Sequence, residues 1–282
     1  MSWKTRAFRG VAGAALILVI PIVLLVSCQS RLIYFPRPYR EGLSEVWARE
    51  AHGQIIDFST SQGAQRAFLQ GNRTDPRNLW IVCGGNATLV LEWSDWISAH
   101  APAEDAWLLV EYPGYGDCSG NPHPKHIAET FEVLVPQVCE QLEIPIENAP
   151  QRLRFFGHSL GSAVALIGAA KFGIERGVLL SPFTSTMDMS RVVIGLPVGF
   201  LVTHRYDNAA RLAEISRSGA AHVIILHGTN DEVIPVEMAR QLATQHPRSV
   251  RLREIPGGTH NTLHLEATDE VAKALQEVGQ ER

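Results

Sequence analysis

The sequence predicts an α/β protein, a mostly parallel sheet flanked by helices on both faces. Three observations carry this expectation. Strand-length apolar runs alternate with helix-length segments, as parallel strands joined by crossover helices do. Runs such as Leu79-Trp80-Ile81-Val82-Cys83 and Ala106-Trp107-Leu108-Leu109-Val110-Glu111 are apolar at successive positions, which suits strands covered on both sides. Serine, aspartate and histidine follow three of these runs directly, at the strand ends where open α/β sheets bind their ligands. With 282 residues, 45% hydrophobic and 19% charged, the chain can build one large core without a second domain. Its formal charge of −4 gives no support to nucleic-acid binding.

The N-terminal 27 residues differ in kind. Lys4, Arg6 and Arg9 precede an apolar run over residues 11–26, interrupted only by Pro21, and no acid occurs before Glu41. A basic segment followed by an apolar one is the pattern of an export signal. The run ends in Leu25-Val26-Ser27-Cys28, which resembles a bacterial lipoprotein lipobox, a family in which the chain is cut before the cysteine and the cysteine is lipidated. The alternative is an uncleaved signal anchor, because a run of this length can just cross a bilayer. Either would hold residues 28–282, read as one domain, on a membrane outside the cytoplasm. With Cys28 lipidated, Cys83, Cys118 and Cys139 are an odd set; free thiols are expected, with a Cys118–Cys139 bridge as the alternative.

Residues 31–36 read as a short tether. Two alternating runs around Ser61-Gln62-Gly63-Ala64 predict an antiparallel hairpin at a sheet edge. The strand at 79–83 runs into Gly84-Gly85-Asn86-Ala87, with a helix expected through Trp93 and Trp96. The strand at 106–111 is followed by Tyr112-Pro113-Gly114-Tyr115-Gly116 and a helix over 125–142. Arg154-Phe155-Phe156 then leads into Gly157-His158-Ser159-Leu160-Gly161 and a small-residue helix. Further strands are expected at 177–181, 222–227 and 250–255, and a last helix over 266–278. Residues 184–218 break the rhythm. Their apolar centre, 192–202, predicts short helices over the strand ends, a lid or acyl-binding wall between the sixth and seventh strands.

Gly-x-Ser-x-Gly between a strand and a helix lifts a serine hydroxyl above the sheet on a sharp turn where a β-carbon at position 157 or 161 would clash. Asp231 follows the seventh strand in Gly228-Thr229-Asn230-Asp231, and His260 follows the last in Gly258-Thr259-His260. With Tyr34-Phe35-Pro36, Asn86-Ala87 and the loop at 112–116, these motifs make the chain from about residue 31 resemble an α/β-hydrolase-fold serine hydrolase. The likeness is greatest to the membrane-anchored branch with depalmitoylase-like and serine aminopeptidase-like members. Ser159, Asp231, His260 is that fold's chain order of nucleophile, acid and base. One departure is visible: Gly84 stands where that family usually has a histidine before the Asn-Ala pair.

A serine hydroxyl is a poor nucleophile at neutral pH and needs an adjacent base, here His260, oriented by Asp231. The Leu160 amide, at a helix N-terminus, would stabilise the developing oxyanion; the resemblance adds the Asn86 amide. Rivals remain within the sequence, Glu232 for Asp231 and His264 or His227 for His260, with His227 taken as structural and His158 as packed in the turn. The His260/His264 and His123/His126 pairs carry only a weak metal signal, and no metal or organic cofactor is expected. The expected activity is cleavage of a carboxylic ester or thioester of an acyl or lipid-like substrate. The alternatives are an amide or peptide hydrolase using the same residues and a non-catalytic binding protein.

Overall fold

The computed structural model describes residues 20, 23 and 26–280. The expected leader or anchor over 1–27 therefore lies outside the described residues, apart from Ile20, Val23, Val26 and Ser27. No helix among the described residues is long and apolar enough to cross a membrane.

Eight strands form one sheet: β1 (Gln54–Thr60), β2 (Gly63–Gly71), β3 (Leu79–Cys83), β4 (Ala106–Val110), β5 (Leu153–His158), β6 (Arg176–Leu180), β7 (His222–Gly228) and β8 (Val250–Ile255). Their spatial order is β1-β2-β4-β3-β5-β6-β7-β8. The β1/β2 hairpin and the β2/β4 pair are antiparallel, and every pair from β4 to β8 is parallel. The register places Ile81 between Leu108 and Phe155 at the sheet centre. Residues of β3, β4, β5 and β7 are buried along their whole length, which is why they read as continuous apolar runs. At the edge, β1 buries Ile56 and Phe58 and exposes Asp57 between them.

The principal helices are α1 (Gln29–Ile33), α2 (Leu43–Glu50), α3 (Ser94–His100), α4 (Pro124–Gln141), α5 (Leu160–Phe172), α6 (Thr186–Ile194), α7 (Asn208–Ile215), α8 (Val236–Gln245) and α9 (Thr268–Gln280). Helices α4, α5, α7 and α8 contact one another in succession over one face. The chain steps from β3 to β4 in one direction and from β4 across to β5 in the other, so right-handed crossovers put α3 opposite α4. On that second face α9 packs against β6 and β7. Trp80 and Trp107 stack there with ring centroids 5.1 Å apart, and the buried carboxylate of Asp105 accepts from Trp80 Nε1 at 2.7 Å.

Two local expectations are changed. Residues 31–36 are more than a short tether: Tyr34 is buried, as is Gln29 just before them, and Gln29–Ile33 is helical. A 3₁₀ turn (Val90–Trp93) precedes α3, and α9 starts two residues later than expected, after a single turn at Leu263–Glu266. None of the four cysteines is in a disulfide, so Cys118 and Cys139 are the unbridged thiols that the sequence predicts. Cys118 instead pairs its sulfur with the backbone of Arg66.

Candidate active site

Strand β5 ends at His158, the chain turns through Ser159, and α5 begins at Leu160. Ser159 sits at φ 56°, ψ −122°, a conformation that costs a residue with a β-carbon about 1–3 kcal/mol. The turn is held by Ser159 N donating to Leu180 O at 2.9 Å and by Ser162 Oγ donating to Gly157 O at 3.0 Å. A β-carbon on Gly157 would overlap the Gly161 carbonyl, and one on Gly161 would overlap that of Cys83. The glycines of the motif are therefore needed for close backbone packing.

The loops after β7 and β8 bring Asp231 and His260 to the same strand ends. Ser159 Oγ donates to His260 Nε2 at 2.9 Å, and His260 Nδ1 donates to Asp231 at 2.8 and 3.0 Å from its two oxygens. Ser159 and His260 are buried, and the Asp231 side chain is inaccessible. Asp231 also forms its own turn, with Oδ1 accepting from Val233 N at 3.0 Å and Ile234 N at 2.7 Å. Burial works against its charge, but donors from His227, His260 and the Ile234 amide outweigh that and hold the carboxyl far below its ordinary range. Turn former and histidine partner are thus one residue.

The rival residues fall into supporting positions. Glu232 accepts from the backbone N–H of His260 at 3.1 Å and does not meet its ring. His227 donates from Nε2 to Ile234 O at 2.8 Å, with Asp231 Oδ2 3.2 Å away. His264 packs on Trp93, centroids 4.6 Å apart, clear of Ser159. His158 does more than fill the turn: its Nε2 donates to the carbonyl of His260 at 3.0 Å, tying the His260 loop to the Ser159 turn. Burial, then the nearby His260, lowers the His158 pKa to about 3 and keeps the ring neutral, against the smaller opposing effect of that bond. His123 accepts from Lys125 N and caps α4. Among the described residues no group of three or more His, Cys, Asp or Glu side chains is placed to hold a metal ion.

Asn86 faces the serine from the β3–α3 loop. Its carbonyl accepts from Phe35 N at 3.0 Å and Tyr115 Oη at 2.6 Å, and its Nδ2 donates to Ile33 O at 3.1 Å. Tyr112 Oη donates to Gly84 O at 2.6 Å, so a tyrosine anchors the loop where Gly84 departs from the histidine expected by resemblance. The Leu160 amide opens α5, among the N-terminal amides that have no intrahelical acceptor.

A cavity of about 290 Å³ opens beside Ser159, with Asn86, Leu160, Phe183, Met189, Val198 and Leu201 in its wall. Much of that wall is the expected lid: α6, capped at its start by Ser185 Oγ, with Val198 and with Leu201 from a 3₁₀ turn (Gly199–Leu201), while α7 follows without lining the cavity. The Ser185–Asp207 bridge closes its neck. Gln29 was not singled out by the sequence. Its Nε2 donates to Leu201 O at 2.6 Å, while its Oε1 accepts from Thr203 N at 2.7 Å and Thr203 Oγ1 at 2.9 Å. Tyr34 and Tyr206 share a second bond, 2.9 Å between hydroxyls. Gln29 and Ile33 also line the cavity, so the start of the described chain is part of its wall.

The structure superposes on an esterase from Pyrococcus furiosus with a TM-score of 0.62 at 15% identity, covering 87% of this chain and 98% of that one. The fold is the α/β-hydrolase fold. No family model matches the chain. It is 28% identical over 270 residues to the uncharacterized protein Rv2307c of Mycobacterium tuberculosis, across 93% of this chain and 91% of that one. It is also 28% identical over 160 residues to alpha/beta hydrolase domain-containing protein 17C of Xenopus tropicalis, across 56% of this chain and 47% of that protein. On the α/β-hydrolase fold the sheet is mostly parallel with helices on both faces, and here a short helical lid lies between β6 and β7.

Proposed function

We propose that this protein is a serine hydrolase that cleaves a carboxylic ester or thioester of an acyl or lipid-like substrate through an acyl-enzyme. The observation that carries the proposal is the continuous hydrogen-bonded line from Ser159 through His260 to Asp231 at the wall of an apolar cavity. His260 takes the Ser159 proton as Oγ attacks the substrate carbonyl, and Asp231 stabilises the imidazolium that forms. The amides of Leu160 and Asn86 meet the oxyanion, where losing one donor costs about 2.7–4 kcal/mol. The protonated His260 then releases the alcohol or thiol, and a water activated by the same ring frees the acid. These steps use only side chains and backbone amides.

No ionised side chain lines the cavity among the described residues, which supports an acyl substrate over a peptide with a free amino terminus. The Pyrococcus furiosus esterase and the 17C protein support a hydrolase, and the resemblance to the membrane-anchored branch supports a membrane location. The N-terminal segment would hold the enzyme on the outer side of a membrane, through a lipidated Cys28 or an uncleaved anchor.

Intact-mass analysis after treatment with a fluorophosphonate probe tests the proposal on membrane-purified protein. One adduct on the wild type, absent from Ser159→Ala, is the expected result, and the same spectrum shows whether the chain starts at a lipidated Cys28. A folded wild type that takes no adduct would assign the site to binding rather than catalysis.

A further inference from the structure

We infer that the outer face of the lid is a bilayer-docking surface, through which an acyl chain passes from the membrane into the cavity without crossing water. The inference deepens the hydrolase proposal and rests on it for the nature of the substrate. Val193, Leu196 and Phe200 are 76%, 57% and 70% exposed, and Val192 and Leu32 are exposed beside them in the same lid and α1. Val193 and Leu32 also line the cavity, so they stand at its mouth rather than on a remote surface. Large side chains grouped in this way mark an interaction face.

What covers the face follows from the chain that leads into it. The apolar run ends at Val26, three residues before Gln29, a span of at most about 11 Å even when fully extended. Gln29 is fastened to Leu201 and Thr203 by three hydrogen bonds, and Tyr34 to Tyr206 by a fourth. A membrane that receives the run therefore lies against the lid. The charges agree: Arg31, Arg191 and Arg205 are exposed in the same segments, and the acids there, Asp188 and Asp207, are engaged by the hydroxyls of Thr184 and Ser185 and by the Ala210 amide. Arginines beside an apolar patch suit lipid headgroups.

The test compares two substrates with the full chain reconstituted in vesicles of phosphatidylcholine and phosphatidylglycerol. Leu196 and Phe200 do not line the cavity, so Leu196→Asp with Phe200→Asp alters the face and not the site. Hydrolysis of a vesicle-embedded umbelliferyl palmitate should fall about tenfold or more, from the cost of placing carboxylates in lipid. Hydrolysis of dissolved p-nitrophenyl butyrate should hold. Ile146→Asp, an exposed apolar site before β5 at the opposite end of the strands, should change neither rate. Equal losses on both substrates, or no loss on either, would overturn the inference. So would a double variant that changes oligomeric size with both rates intact, which would give the face to a second copy. Phe200→Trp gives a readout independent of turnover: brominated lipid should quench it beyond the wild-type background. Absence of that extra quenching overturns the docking surface, whereas failure of the fluorophosphonate adduct overturns only the hydrolase.

Discussion

Replacing Asp231 with Asn changes one atom pair, and the structure dictates which way the new amide must point. Oδ1 accepts from two backbone amides, Val233 N and Ile234 N, so the asparagine oxygen must take that position. Its NH₂ then occupies the place of Oδ2, 2.8 Å from His260 Nδ1. Donor then faces donor at 2.8 Å, and the remaining oxygen, 3.0 Å from Nδ1, is already taken by two amides. His260 is therefore driven to the other tautomer and presents Nε2–H to Ser159 instead of a lone pair. The base is lost while the geometry remains. The expected fall in kcat is on the order of 10⁴-fold, about 5.5 kcal/mol in the barrier. KM should stay within a few-fold on the scale of ordinary binding effects, because Asp231 does not line the cavity. Stopped-flow or plate kinetics with a p-nitrophenyl ester measure both, alongside a thermal melt to show that the variant is folded. A folded Asp231→Asn enzyme with kcat within about tenfold of wild type would refute the tautomer argument. It would also reopen the case for Glu232, which here holds only the His260 backbone.

Two further outcomes follow, one from a group away from Ser159 and one from its turn. Glu111 is buried, accepts from Tyr39 Oη and Val90 N, and is pushed up to about 7 by burial. A carboxyl raised on folding stabilises the native state below its ordinary value of 4.5, and that contribution disappears as pH rises through 7. Between pH 4.5 and 8 the wild type should lose about 3 kcal/mol relative to Glu111→Gln, measured by urea melts; parallel pH profiles would contradict it. Gly161→Ala would drive a methyl into the backbone carbonyls of Cys83 and Gly84, where no flexible side chain can yield. It should cost about 3 kcal/mol or more and abolish labelling by the probe, whereas Gly195→Ala, which meets only open space at φ 74°, should cost about 1 kcal/mol.

The sequence was informative wherever a local pattern has a direct structural cause. Strands β3, β4 and β7 are covered on both sides and so read as unbroken apolar runs, which fixed their positions to within a residue. Ser159 and Asp231 could be picked out because each follows such a run, and His260 because Gly258-Thr259-His260 follows the last, alternating strand. Contacts between segments far apart in the chain left no comparable mark. His158 reaches the His260 carbonyl 102 residues away, and Gln29 reaches Leu201 across 172. Neither bond has a periodicity or spacing to betray it. A signal did exist for Tyr34, a hydroxyl set between Ile33 and Phe35, but it fits a solvated tether equally well, and Gln29, between Cys28 and Ser30, carried none. Glu232 was ambiguous for another reason: adjacent acids differ only in which way the turn aims them, and the Val233 and Ile234 amides decide that for Asp231.

The Gln29 clamp bears on how such an enzyme can change over evolutionary time. A membrane leader is ordinarily a detachable address, replaceable by any other of the same kind. On the proposed reading of the N-terminal segment, the residues that fasten the lid lie immediately behind such a leader, so a recombination joint placed at residue 36 would discard Gln29 and Tyr34 with it and leave the cavity without one wall. Address and enzyme would then overlap and be inherited together.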